Sequence, residues 1–165
     1  MTAASDGEAI TGLWFDGQKY FGSTIETDCF ECDLPVFNEL KKWLDIYFAG
    51  NEPEFMPDIL IHTTPFREAV WKILAEIPYG RTVTYGEIAE AVSTGSGGKR
   101  VSARAVGGAV GHNAISLIIP CHRVVGSDGS LTGYAGGIEK KIKLLALEKV
   151  AFDRKINFCC KKNPL

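Results

Sequence analysis

The sequence predicts an α/β protein of the α+β type, with a small sheet-plus-helix part over residues 1–62 and a mainly helical part over residues 63–165. Three observations carry that expectation. The first 25 residues are turn-rich, with an Asp16-Gly17 pair set between the aromatic pairs Trp14-Phe15 and Tyr20-Phe21, a hairpin signal. From Pro35 onward, apolar residues recur at helical spacing in several separate runs. One short, nearly unbroken apolar run, Ile115 to Ile119, stands apart and reads as a buried strand closed by Pro120. With 165 residues and 45% apolar side chains, the chain can bury a sizeable core.

The elements follow in order. Val36, Phe37, Leu40, Trp43, Leu44, Tyr47 and Phe48 predict a helix over 35–48, with Pro35 suited to its first turn and Gly50 to its end. A linker over 51–57 leads to Ile59-Leu60-Ile61. Thr64-Pro65 starts a second helix that Pro78 stops, with Phe66, Val70, Ile73, Leu74 and Ile77 as its stripe. Thr84-Tyr85-Gly86-Glu87 fits a capping box opening a helix to Val92. A Gly/Ser loop separates it from a helix over Ser102 to Val110, and the pair has helix-turn-helix proportions. The last helix runs from Ile138 to about Val150, with Ile142, Leu145 and Lys149 spaced along it. Cys159 and Cys160 fall in a frayed tail.

Charge divides along the same line. Residues 1–62 carry three basic and twelve acidic side chains, a balance of −9, while the remainder carries fifteen and eight, a balance of +7. The basic part is suited to a nucleic-acid partner. The residues Met1 to Glu8 contain neither a basic nor an apolar signal region, and no apolar run is long enough to cross a bilayer. Five cysteines do not make a disulfide scaffold, so a reducing compartment is expected, cytoplasmic, or nuclear in a eukaryote, and not secretion.

The chemistry centres on Pro120-Cys121-His122-Arg123-Val124-Val125. A cysteine ending a buried strand, followed by two basic side chains, is placed for nucleophilic work, and those neighbours favour the thiolate. Most buried cysteines are inert, which is the competing reading. On extended backbone His122 points away from the sulfur, so a water is expected to relay the proton. The helix over 102–110 has two interior glycines, Gly107 and Gly108, which serve either close helix packing or close approach to another surface. Cys29-Phe30-Glu31-Cys32 is a lone C-x-x-C, read as free thiols with no metal, and His62 and His112 lack supporting context. Lys140, Lys141 and Lys143 read as a solvated face.

The 120–125 signature resembles that of the O6-alkylguanine-DNA alkyltransferases, the methylated-DNA–protein-cysteine methyltransferases. The segments 66–71, 77–80, 84–89, 104–109, 133–137 and 144–148 fall in that family's order, so the resemblance is dense over 64–150. It implies a single-turnover transfer of an alkyl group from O6-alkylguanine, and O4-alkylthymine, in double-stranded DNA to Cys121. His122 takes the thiol proton through a water, Glu148 orients His122, Tyr85 donates to the departing guanine and Asn113 supports the turn. Arg104 holds the place of the flipped base, on a slim helix face with Ala103, Ala105 and Gly107. Cys121, Val124 and Ala135 read the guanine edge by backbone groups, and Tyr134 walls the pocket. No cofactor and a monomer are implied. The alternative is a non-catalytic lesion-binding or DNA-binding regulatory protein of the same fold. Ala114 and Ser116 stand where many members have proline, and the N-terminal part is expected to lack an initial strand.

Overall fold

A computed structural model describes residues 1–25 and 28–150. The tail holding Cys159 and Cys160 lies outside the described residues.

Strand β1 (Thr2–Ser5) pairs antiparallel with β2 (Ile10–Trp14). The hairpin turn therefore lies at residues 6–9 rather than at Asp16-Gly17. Asp6 makes that turn: its carboxylate accepts from the backbone N–H of Glu8 and Ala9 at 3.0 and 2.9 Å. Such an Asx turn offers the backbone the partners a hairpin needs. β2 also serves the other half of the chain. Leu13 exchanges backbone hydrogen bonds with Ala114 and Ser116, each 2.8 Å long, fastening the hairpin to the segment that leads to Cys121.

Helix α1 (Pro35–Phe48) buries Val36, Leu40, Trp43 and Tyr47, the i, i+4, i+7, i+11 face the spacing predicted. Ile59 to Ile61 contributes one bridge, Ile59 to Ile10, instead of a strand. Helix α2 (Pro65–Ala75) is capped by Thr64 and ends two residues before Ile77, whose N–H bonds back to Leu74. Trp71 Nε1 donates to Ala109 O at 2.9 Å, tying α2 to the helix that follows the loop.

Strand β3 (Val83–Thr84) feeds directly into α3 (Tyr85–Gly95), whose capping box is complete: Thr84 Oγ1 accepts from Glu87 N–H, and Glu87 Oε2 accepts from Thr84 N–H. Helix α4 (Ala103–Gly111) is capped by Ser102. Helices α2, α3 and α4 pack on one another, so the helix-turn-helix is held from behind by α2. A 3-10 turn (Cys121–Arg123) precedes β4 (Val124–Val125), which runs parallel to β3 with Val83 opposite Val124. Helix α5 (Ile138–Leu147) closes the described chain.

Two expectations change here. The run Ile115–Ile119 is a compact buried turn, with Leu117 at φ +71° and a bridge between Ser116 and Ile119. Its apolar character reflects enclosure on every side, which periodicity cannot separate from a buried strand. The buried stripe of α5 is Lys141, Leu144, Leu145 and Glu148, with Ile142 only half-buried and Lys149 exposed. One apolar core joins residues from both parts of the chain, from Ile10, Trp14 and Trp43 to Val70, Ile88 and Ile119.

Candidate active site

Cys121, His122 and Arg123 sit on the 3-10 turn and all three are buried. The turn forms because Pro120 interrupts the preceding backbone and Arg123 N–H bonds back to Pro120 O at 2.9 Å. The expectation of extended backbone at Cys121-His122 is thus corrected. The cysteine is addressed by Asn113, whose Nδ2 donates to Cys121 Sγ at 3.0 Å and to Ile119 O at 2.8 Å. Asn113 Oδ1 accepts from Ile115 N–H at 3.0 Å, so one amide closes the loop over 113–121 onto the sulfur.

Burial pushes the Cys121 thiol above its ordinary value, against smaller opposing effects from the Asn113 hydrogen bond and the Lys141 charge. The expectation that His122 and Arg123 favour the thiolate also changes, because Arg123 is committed elsewhere. Its Nε and Nη2 donate to Glu148 Oε2 and Oε1 at 2.9 and 3.0 Å, and its Nη1 donates to Ile77 O. Such a fork-on-carboxylate pairing uses up the charge locally. A resting thiol needs a base to take its proton.

His122 is fully buried, and Nε2 lies 2.7 Å from Glu148 Oε1. Burial alone raises a carboxyl, yet the hydrogen bonds from His122 and Arg123 hold Glu148 down at about 2, so it is ionised and only accepts. Nε2 must then carry the hydrogen, leaving the lone pair on Nδ1, which has no hydrogen-bond partner among the described residues. Burial lowers the imidazole below its ordinary value, with Glu148 opposing, so it rests neutral. A neutral imidazole with a free Nδ1, adjacent to a protonated thiol, is an acceptor awaiting a proton.

Tyr85 reaches this cluster through the β3–β4 pairing. Its hydroxyl donates to Thr132 O and Gly133 O at 3.1 and 3.2 Å, and burial keeps it protonated. Tyr134 is buried, its ring 6.5 Å from the His122 ring. Gly136 has no room for a side chain: a Cβ there meets the Tyr134 ring at 2.6 Å and Phe15 at 3.3 Å. The backbone groups expected to read guanine already have partners: Ala135 O accepts from Lys19 N–H, Val124 O from Lys141 Nζ, and Cys121 N–H donates to Ile119 O. A second carbonyl lone pair is what remains at Val124 and Ala135.

Arg104, Ala103 and Ala105 lie exposed on α4, away from the buried cluster, with Gly107 half-buried. Among the described residues an added Cβ at Gly108 meets nothing within 4 Å, and at Gly107 only the Tyr85 ring at 3.9 Å. Close internal packing therefore does not account for these glycines. Ser116, in place of a pocket proline, donates to Gln18 Oε1 at 3.1 Å.

Three contributors escaped the sequence reading. Lys141, expected on a solvated face, is fully buried, its Nζ bonded to Val124 O and Thr132 O; burial lowers it to about 8. Its place seven residues before Glu148, on the Leu144-Leu145 face, was the available signal. Arg123 acts as the clamp on Glu148. Tyr47 of α1 donates to Glu148 Oε1 at 2.8 Å, across 101 residues, and nothing in its helical stripe marks it apart from core. Among the described residues no group of three or more His, Cys, Asp or Glu is arranged to hold a metal ion. Cys29 and Cys32 are exposed free thiols.

The profile of the 6-O-methylguanine DNA methyltransferase DNA-binding domain matches residues 65–150. The chain belongs to that family. The methylated-DNA–protein-cysteine methyltransferase of Mycobacterium tuberculosis is 44% identical over 149 residues, covering 90% of this chain and 86% of that protein. Its counterpart from Haemophilus influenzae is 42% identical over 150 residues, covering 90% and 79%. The crystal structure of Mycobacterium tuberculosis OGT in complex with DNA superposes with a TM-score of 0.76 at 42% identity, over 89% of this chain and 84% of that one. The O6-methylguanine-DNA methyltransferase of Pyrococcus kodakaraensis superposes with a TM-score of 0.65 at 26% identity, over 90% and 89%. These O6-methylguanine DNA methyltransferase relatives share the α+β fold seen here. No helix among the described residues is long and apolar enough to cross a membrane.

Proposed function

We propose that this protein repairs O6-alkylguanine in double-stranded DNA by moving the alkyl group irreversibly to its own Cys121. The observation that carries the reading is the pairing of a buried protonated thiol with a neutral His122 whose Nδ1 is free and whose Nε2–H is fixed by an ionised Glu148. The Cys121 S–H bond breaks, its proton passing to Nδ1 through a bridging water. The sulfur electron pair forms a bond to the alkyl carbon, and the C–O6 pair departs with guanine. Tyr85 lends its hydroxyl proton to that guanine, and the proton held on His122 restores the balance. The product is a thioether, which offers water no leaving group, so each molecule acts once.

A buried thiol reaches O6 only if the base leaves the duplex. The exposed α4 face, with Arg104 and the bare Gly108 backbone, suits close approach to a groove, and Arg104 fills the vacated place in the stack. The +7 balance of residues 63–165 attracts phosphate. Free thiols at Cys29 and Cys32 suit a reducing compartment, cytoplasmic or nuclear. The division at residue 62 belongs to this reading as well.

The test is intact mass followed by peptide mapping after mixing with duplex DNA containing O6-methylguanine. One added methyl on Cys121, saturating at one per protein, is the expected result. Retained DNA binding with no mass change would instead favour the lesion-binding alternative.

A further inference from the structure

The N-terminal helix reaches into the proton path. Tyr47, fully buried on α1, stacks on Trp43 with ring centroids 5.3 Å apart and meets the His122 ring edge-on at 6.4 Å. Its hydroxyl lies 2.8 Å from Glu148 Oε1 and 3.3 Å from His122 Nε2. A phenol has one hydrogen to give. Nε2 already carries a hydrogen, so Tyr47 donates to the carboxylate. Oε1 then accepts from three donors, His122 Nε2, Arg123 Nη2 and Tyr47 Oη, while Oε2 accepts from Arg123 Nε and Gly80 N–H. Five donors exceed the roughly four lone-pair sites of a carboxylate, so they compete.

We propose that Tyr47 is a positioning residue for alkyl transfer: by sharing Glu148 Oε1 with His122, its hydroxyl fixes the imidazole's orientation and sets how readily Nδ1 accepts the Cys121 proton. The idea rests on the transfer reading above. A donor that draws on Oε1 leaves less negative charge for His122, so the imidazole is a weaker base than Glu148 alone would make it. Weaker basicity keeps His122 neutral, and thus ready to accept, toward lower pH. The other titratable or charged groups around His122 are its chain neighbours Cys121 and Arg123, Lys141 and Glu148 on the α5 side, and Tyr134 from the 131–137 loop. Tyr79, from the turn after α2, faces Tyr47 at 6.2 Å. None of these lies on α1, so a Tyr47 variant changes one input from an element that carries no other group of the site.

The experiment pairs two readouts on wild type and Tyr47→Phe. One is the single-turnover transfer rate against pH on duplex DNA bearing O6-methylguanine. The other is the side-chain nitrogen NMR titration of His122, which needs no activity. The expected result is an upward shift of the His122 midpoint by roughly half to one unit, with the acid limb of the rate profile moving the same way. Tyr79→Phe, whose hydroxyl donates to Leu147 O, leaves that midpoint in place. A rate lowered by one factor at all pH values, with an unmoved midpoint, overturns the proposal and makes Tyr47 a packing residue. Should Tyr47→Phe fail to fold, 3-fluorotyrosine placed at position 47 keeps the ring and donates more strongly. The midpoint then falls, and an unmoved midpoint again overturns the idea. A wild type that gains no methyl on Cys121 defeats the transfer reading alone, because the nitrogen titration still decides what Tyr47 does to His122.

Discussion

Glu148 and Arg104 mark two regions built on opposite principles. Around Glu148 both carboxylate oxygens are engaged: five donors converge on them, and the Arg123 fork is completed by Ile77 O. Along the outer face of α4 the side chains are short or absent, and the one long side chain, Arg104, is exposed. The first region is finished by the fold itself, so its geometry is set before any substrate arrives. The second is left open to solvent, and on the proposed reading it is duplex DNA that completes it. The difference teaches where to look for each kind of effect. Changes at the hub should act on stability and chemistry together, and changes on the outer face of α4 on recognition without loss of stability.

The largest effect should come from Arg123→Leu. It strips three hydrogen bonds and leaves Glu148 buried without its cation, a situation that costs on the order of 3–5 kcal/mol. Urea denaturation at pH 7 should show that loss, and transfer to Cys121 should be nearly abolished. A loss under about 1 kcal/mol would mean the hub is far less closed than its distances imply.

A pH titration of wild-type stability comes next. Glu148 sits at about 2 in the fold against 4.5 as a free side chain. A carboxyl depressed on folding contributes its full stabilisation above the unfolded value and loses it as pH falls toward the folded one. Stability should therefore drop between about pH 5 and pH 2, by an amount of order 3 kcal/mol from this group. Lys141 behaves in the complementary way. Lowered to about 8 by burial, it binds its proton less tightly folded than unfolded, so stability should rise from about pH 8 toward pH 10. Lys141→Met removes that rise, which chemical denaturation at a series of pH values would reveal.

The two regions were unequally legible in the sequence. The α4 face could be read because its signal is local: Ser102 as cap, two glycines, one arginine, all within nine residues. Cys121, His122 and Glu148 could be placed through their resemblance to a family, and the fold brings them together. What the sequence hid was long-range pairing. Tyr47 looks like any core aromatic on the Val36-Leu40-Trp43 stripe, and only the folded structure shows that its hydroxyl ends at a carboxylate 101 residues away. Lys141 looked solvated because a lysine is almost never fully buried unless its ammonium finds acceptors, here two loop carbonyls. Ile115–Ile119 was misread as a strand because full enclosure erases the alternation that separates strand from turn. The hairpin turn at Asp6 went unread because Asp16-Gly17 is the stronger dipeptide pattern; β2 does precede Asp16, but residues 18–25 form no strand to pair with it.

Arg104→Ala tests the open face. Transfer from duplex DNA should slow by roughly tenfold or more, about 1.4 kcal/mol of barrier, because nothing then holds the flipped state. Reaction with free O6-benzylguanine should keep its rate, and folding stability should be unchanged, since the side chain is exposed. Equal slowing of both substrates would place Arg104 in the chemistry and dissolve the distinction between the regions.

The smallest effect is the most discriminating. Gly108 lies inside α4 with helical backbone, and an added Cβ there meets nothing within 4 Å among the described residues. On helix propensity alone, Gly108→Ala should stabilise the fold by about 0.5–1 kcal/mol. A glycine that costs stability without relieving a contact among the described residues suits something other than internal packing. If that something is the close approach of α4 to a duplex, the same methyl should weaken binding to unmodified duplex DNA while leaving the free-base reaction unchanged. Thermal melting and a salt-matched binding titration on one preparation decide it. A stabilised variant with undiminished DNA affinity would show that the bare backbone is not at the interface, and that α4 meets DNA through its side chains alone.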